Sequence, residues 1–337
     1  MIMTNDEDES QNNPPLHLLA SAAKRSTRPS ERRKKVISFE EVGPLMADAL
    51  RHDRTLCLGG LFKQNRPVAL VRELIRRGIG ELRLFSSPGS GYDVDLLVAA
   101  GLVSEAFLAA VTLENRLCPN FRSAVESGRI KAHALDALTI VGGLTAGANR
   151  LPFSPVAAWA GSDVIKHNPL AAPMTSPFDG EPLYAVRPIR PSLTLIHAQE
   201  ADEYGNIRHL SSMTYADNLM ARASQRVVVS VDRLVRSEVI TRKPRETTIP
   251  CIYVDAVVEI PFGAHPTASF PLYSMDEGFI NAFADLSDEV RIEPAKQPLL
   301  EAYLDRHARN PADVFGYIDA IGGYRRLAAL EHEARFI

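Results

Sequence analysis

Glu114 and Asn115 form the polar pair with the clearest capacity for chemistry. A carboxylate beside an amide can move a proton or orient a polar substrate group, and both follow an apolar run, Ala106 to Val111, that reads as a strand. A solvated or loop-capping carboxylate explains the same two residues. Cys118 lies in the same loop, but a lone cysteine with no histidine placed for it is more often a bystander than a nucleophile. His265 follows Gly263 at the end of another apolar run, Val254 to Ile260, an address that suits either a pocket residue or a pin for the loop. The nine histidines show no HxH, HExxH or Cys/His cluster, so no metal site is expected. There is no GxSxG elbow to carry a Ser/His/Asp triad.

These residues need strands to hold them. Leu56, Cys57 and Leu58 read as a buried parallel strand, and Gly59-Gly60 lets the backbone leave it sharply. Pro67 suits a first helical turn, and Val68, Val71, Leu74 and Ile75 recur on one helical face before Gly78 stops it. The turn is either structural or an anion seat formed by the amides of the following helix. It has no GxGxxG and no GxxxxGK[ST], so neither dinucleotide nor P-loop chemistry is indicated. The pattern repeats: Leu82 to Leu84 leads into Ser86-Ser87-Pro88-Gly89-Ser90-Gly91, and Asp93 reads as the cap of a helix that ends at Gly101. Strand, glycine turn and helix in alternation predict an α/β fold with an open, mainly parallel sheet and helices on both faces.

Further along, the helix predicted within 137–150 carries Gly142, Gly143 and Gly147, which would let it press close to a neighbour. The proline-rich stretch 165–191 reads as a long loop or a small subdomain, and Asp202 to Asn206 as a tight turn with Ile207 returning antiparallel. Three domains are expected: a solvated tail over 1–35, a folded body over 36–325 and a C-terminal tail over 326–337. Among the 337 residues, 38 basic and 41 acidic residues give a net charge of -3, which argues against nucleic acid as a partner. Three distant cysteines fit a reducing compartment. No apolar run is long enough for a membrane helix, and Leu16 to Ala20 is too short for a signal-peptide core, so a cytoplasmic location is expected.

The order of motifs resembles the A (α) subunit of class I coenzyme A transferases. It rests on Gly59-Gly60-Leu61-Phe62 with Arg66-Pro67, on Gly89-x-Gly91-x-Asp93-x-Asp95-Leu96-Leu97, on Glu114-Asn115, on Arg150-Leu151-Pro152-Phe153, and on His197-Ala198-Gln199 running to Gly205-Asn206-Ile207. Val254 to Val258 and Gly263-Ala264-His265-Pro266 are most similar to the α chain of glutaconate CoA-transferase, and the related chain of a steroid-ring hydrolase is a second likeness. The resemblance implies a ribose-5-phosphate-isomerase-like fold, a homologous B (β) subunit in a hetero-oligomer, and coenzyme A as co-substrate with no bound cofactor. It further implies transfer of CoA from an acyl-CoA to a small dicarboxylic or oxo acid through a glutamate of the B chain. Gly59, Gly60, Ser87, Gly89, Gly91, Glu114 and Asn115 would line the pocket. The family's oxyanion glutamine aligns with Ala137, beside Asp136, and that departure keeps open an acyl-CoA hydrolase or a non-catalytic acyl-CoA-binding subunit.

Overall fold

A computed structural model of the protein describes residues 33–157, 163–211 and 214–336. The tail reading of 1–35 therefore lies outside the described residues up to residue 32. Its last residues pack on the body: Lys34 pairs with Glu203 at 2.6 Å, Lys35 Nζ donates to the carbonyls of Val254 and Cys251, and the Lys35 carbonyl accepts from the Val257 N–H at 2.8 Å. Ser38 starts helix α1 (Phe39–Ala49) by donating its N–H to Glu41 Oε2 at 2.8 Å, a capping arrangement legible in the sequence.

The predicted βα alternation follows. Strand β1 (Thr55–Leu58) leads to α2 (Val68–Arg76), and β2 (Leu82–Ser86) leads through the short β3 (Gly89–Ser90) to α3 (Tyr92–Ala99). Strand β4 (Val103–Leu108) and short β5 (Ala110–Val111) precede α4 (Pro119–Glu126), and β6 (Lys131–Ala134) precedes α5 (Ala137–Ala148). The later elements are β7 (Ser154–Val156), β8 (Ala171–Thr175), β9 (Pro182–Val186), β10 (Leu193–Ala201), β11 (Ile207–Arg208), α6 (Asp217–Ala223), β12 (Arg226–Leu234), α7 (Ser237–Thr241) and β13 (Ala256–Glu259). Four helices close the chain: α8 (Glu277–Ile292), α9 (Gln297–Leu304), α10 (Val314–Ala320) and α11 (Tyr324–Ala334).

The described residues form a central sheet in the order β13-β12-β10-β1-β2-β4-β6 with every neighbour parallel, and β11 joins β10 antiparallel through Ala201 and Ile207. Alternate side chains feed two layers. Leu56, Leu58 and Leu84 pack with α1, α2, α3 and the C-terminal helices, while Cys57, Phe85 and Phe107 pack with α5 and α6 on the opposite face. The 165–191 stretch is the small-subdomain alternative: β8 and β9 form a hairpin that joins β7 in a separate antiparallel sheet. Helix α5 presses against the segment after β9. A Cβ on Gly147 would stand 2.1 Å from the Ile189 carbonyl oxygen, and the Ile189 N–H donates to the Gly143 carbonyl at 2.9 Å.

Two local expectations differ from the structure. Asp93 does not cap α3, whose N-cap is Gly91; it lies within the first turn and faces inward. The stretch 326–337 is no loose tail over its described length, because α11 buries Leu327 and Leu330 in the main core.

His265 fastens the C-terminal helices. Its Nδ1 contacts the Tyr317 hydroxyl at 2.7 Å and its Nε2 contacts Asp276 Oδ2 at 3.1 Å, while Arg326 also binds Asp276 and Arg72 lies 3.3 Å from the centre of the Tyr317 ring. The loop-pin reading of this histidine is therefore the structural fact. His307 sits between the Phe279 and Tyr303 rings, and burial with the nearby Arg306 and Arg72 charges pushes its pKa down to about 4. Burial also lowers His265. Both imidazoles bind fewer protons folded than unfolded below the ordinary value of 6.5, so stability falls as pH drops from there toward 4. Asp276 adds the same sign at lower pH: burial alone would raise it, but Arg326 and His265 hold it well below the usual carboxylate range. Thermal unfolding should show a lower Tm at pH 5 than at pH 7, with a flatter dependence in His307→Phe. An unchanged slope in that variant would clear His307 of the effect.

Candidate functional site

The glycine turns after β1 and β2 meet at one buried side chain. Arg66 has no exposed surface; its Nε donates to Asp93 Oδ2 at 2.8 Å, its Nη2 to Ser86 Oγ at 2.8 Å, and its Nη1 to Ser87 Oγ at 3.0 Å. The same Nη1 reaches the carbonyls of Gly60 at 3.3 Å and Gly89 at 3.4 Å. A planar fork with several donors is the side chain that can serve this many acceptors at once. The turns also interlock directly: Phe62 N–H donates to the Gly89 carbonyl at 2.8 Å, and a Cβ on Gly89 would lie 2.6 Å from the Phe62 ring.

The Gly59-Gly60 turn is not an open anion seat. The Gly60 N–H donates to Asp217 Oδ1 at 2.9 Å, so a carboxylate from α6 already occupies it. At the start of α2, the Val68 and Ala69 amides are taken by the carbonyls of Arg66 and Gly263. Gly60 has φ of +78°, and a Cβ there would meet the Asn65 carbonyl oxygen at 2.5 Å, so glycine is required on both counts. The segment with His197 and Gln199 supports this loop from β10: Gln199 Nε2 donates to Asn65 Oδ1 at 2.7 Å and to Ser269 Oγ at 2.8 Å.

Glu114 and Asn115 stand at the apex of a stiff turn beside these corners. Thr112 and Leu117 form a bridge, the Glu114 N–H donates to Thr112 Oγ1 at 3.0 Å, and the Asn115 N–H donates to the Leu113 carbonyl at 3.0 Å. The turn is clamped along α8 by Arg116, which binds Asp285 and Asp288. Glu114 itself has φ of +70°, a conformation a glutamate seldom adopts, and Phe62 at +48° and Asn65 at +53° share it nearby. Such strain persists where the surroundings over-determine it and gathers at functional sites. Lys63 Nζ lies 3.3 Å from Glu114 Oε2, which ties the apex to the Gly60 loop.

The structure thus brings all seven expected residues into one neighbourhood and divides them in two. Gly59, Gly60, Ser87, Gly89 and Gly91 are buried and form the frame, with Ser87 Oγ spent on Arg66 and on the Gly89 carbonyl. Glu114 and Asn115 are exposed and face outward. Sequence reasoning missed Lys63 and Asp217, which no spacing marks, and treated Arg66 only as part of a motif. Asp136 is committed to structure: as N-cap of α5, its Oδ1 accepts from Thr139 N at 2.6 Å, and Ala137 follows as the first helical residue. Cys118 is buried, and desolvation raises its thiol well above the ordinary range, which removes it as a nucleophile. Among the described residues no cluster of His, Cys, Asp and Glu is arranged for a metal, and no helix is long and apolar enough to cross a membrane.

Residues 40–260 match the family described as Coenzyme A transferase. The chain is 31% identical over 290 residues to the cholesterol ring-cleaving hydrolase IpdA subunit of Rhodococcus jostii, covering 82% of this chain and 93% of that protein. It is 31% identical over 268 residues to the A subunit of the 3-oxoadipate CoA-transferase of Pseudomonas knackmussii, covering 77% and 89%. Among solved structures it is similar to glutaconate coenzyme A-transferase from Acidaminococcus fermentans, with a TM-score of 0.79 at 25% identity over 87% of this chain and 94% of that one.

Proposed function

The chain belongs to the coenzyme A transferase family, and we propose that it is the A subunit of a heteromeric enzyme that moves CoA from an acyl-CoA thioester to a small dicarboxylic or oxo acid. A glutamate of a homologous B chain attacks the thioester carbonyl and CoA thiolate leaves; the thiolate then attacks the glutamyl carbonyl of the resulting anhydride, giving a glutamyl-CoA and releasing the donor as a free carboxylate. The acceptor carboxylate attacks the glutamyl-CoA carbonyl and expels the thiolate, which opens this second anhydride at the acceptor carbonyl to give the new acyl-CoA and the free glutamate, so that one hard step becomes several easier ones. In this reading the A chain supplies one wall of the pocket, and Glu114 with Asn115 supplies its polar groups. The observation that carries it is the convergence of the Gly60, Gly89 and Glu114 corners at the carboxyl ends of β1, β2 and β4, where open α/β sheets receive ligands. Five of the seven expected residues act as the frame that fixes this wall.

Ala137 offers no side-chain donor, and Asp136 is spent on its helix, so the oxyanion donor comes from the partner or from a backbone amide. The second reading, an acyl-CoA hydrolase of the ring-opening type with water in place of the acceptor carboxylate, is favoured by the likeness to the Rhodococcus ring-cleaving hydrolase. Tagged chain purified with its partner, then assayed for thioester loss with and without an acceptor carboxylate, separates the two. Loss of thioester without acceptor sinks the transferase reading, and no loss in either assay leaves a ring-opening hydrolase, which keeps the thioester, or a binding role. In the active complex Glu114→Ala should lower kcat/KM by about 10²-fold, the low end of what a positioned acid–base group contributes, with Tm nearly unchanged. Wild-type kinetics would remove Glu114 from the pocket.

A further inference from the structure

We propose that Lys63 is the residue that positions Glu114, an inference that rests on the reading of Glu114 as a pocket group. The lysine side chain is only 7% exposed, whereas the two carboxylates it meets, Glu114 at 3.3 Å and Glu277 at 3.2 Å, are 51% and 62% exposed. The desolvated partner is the one the fold fixes. The solvated partners follow it.

The position of Lys63 is set by its own loop. Leu61 bridges Gln64, the Ala268 N–H donates to the Lys63 carbonyl at 2.8 Å, and the Asn65 N–H donates to the Ala268 carbonyl at 2.8 Å. Phe62 seats that loop on Gly89, whose missing side chain makes room for the ring. Placement therefore passes from the Gly89 turn through Phe62 to the ammonium of Lys63, and from there to the Glu114 carboxylate. A surface ion pair on a free lysine would carry no such information, because two long side chains in water hold no fixed geometry. Glu277 opens α8, beyond the residues that match the family, so the C-terminal helix shares the same ammonium.

The test uses the chain reconstituted with its B partner, acetyl-CoA as donor and glutarate as acceptor. Lys63→Met should lower kcat about 10-fold with KM for the thioester within about twofold, and Lys63→Arg, which keeps a cation in reach of both carboxylates, should recover most of the loss. Because the two residues act as one unit, Lys63→Met with Glu114→Gln should be no slower than Glu114→Gln alone. Multiplying defects, or a wild-type Lys63→Met beside an impaired Glu114→Gln, would overturn the positioning role and leave the pocket reading standing. A wild-type Glu114→Gln would overturn both. Independently of turnover, a crystal structure of the Lys63→Met chain should show the Glu114 carboxylate displaced, and a carboxylate left in place overturns the proposal.

Discussion

Arg66→Met should lower the free energy of unfolding by about 3–5 kcal/mol, the usual consequence of removing one partner of a buried ion pair. The substitution strands the Asp93 carboxylate, whose Oδ1 has no hydrogen-bond partner even with Arg66 in place, and it frees Ser86, Ser87 and two carbonyls that shared the guanidinium. Methionine matches the volume well enough that an empty cavity is not the main effect. Arg66→Lys separates charge from shape, because an ammonium can meet Asp93 but cannot span the acceptors of two turns; it should fall between wild type and Arg66→Met. Urea unfolding followed by circular dichroism measures all three. A loss below about 1 kcal/mol for Arg66→Met, the scale of an ordinary surface pair, would mean that the turns hold together without it.

Gly60→Ala should come next in size, at about 2–4 kcal/mol. It adds a left-handed penalty of about 1–2 kcal/mol to an overlap with the Asn65 carbonyl that only backbone movement can relieve. Gly78→Ala isolates the first term, since φ there is +63° and nothing lies within 4 Å of its added carbon. The difference between the two variants in Tm therefore reads the crowding alone. Movement of the Gly60 corner also displaces Phe62 and Lys63, so catalytic loss should exceed what the lost stability explains. Equal effects of the two alanines would show that the corner can relax.

Much of this architecture was legible in the chain itself, because the signals were local. Leu56 to Leu58 followed by two glycines and Pro67, or Ser38 with Glu41, state a strand end and a helix start within a few residues. The small residues of α5 also announced their purpose, since only a helix pressed onto another backbone tolerates Gly143 and Gly147 together. For the candidate site, the chain showed which corners would converge and not how they are wired. Asp217 lies far along the chain from the Gly60 amide it binds, and Asp93 looks like an ordinary cap until Arg66 is placed opposite it. Such pairings depend on which strands become neighbours, and helical or strand periodicity is silent on that. The C-terminal helices were under-read for a related reason: α10 has only seven residues and is held by Arg72 of α2 and by His265 through Tyr317, while α11 is fastened through Asp276 and Ser274, all distant in the chain.

The strand order also dictates a schedule. β1 pairs with β2, close behind it, and with β10, whose Leu193 meets Leu56 only after most of the chain has been made. During synthesis β1, β2, β4 and β6 can assemble as an apolar half-sheet with one open flank, and closing so long a loop is slow. The carboxylate that receives the Gly60 amide belongs to the half that arrives late. A ribosome-bound chain stopped short of residue 193 would thus expose the β1 flank to pairing with other chains, and the Gly60 corner would be among the last parts of the molecule to set.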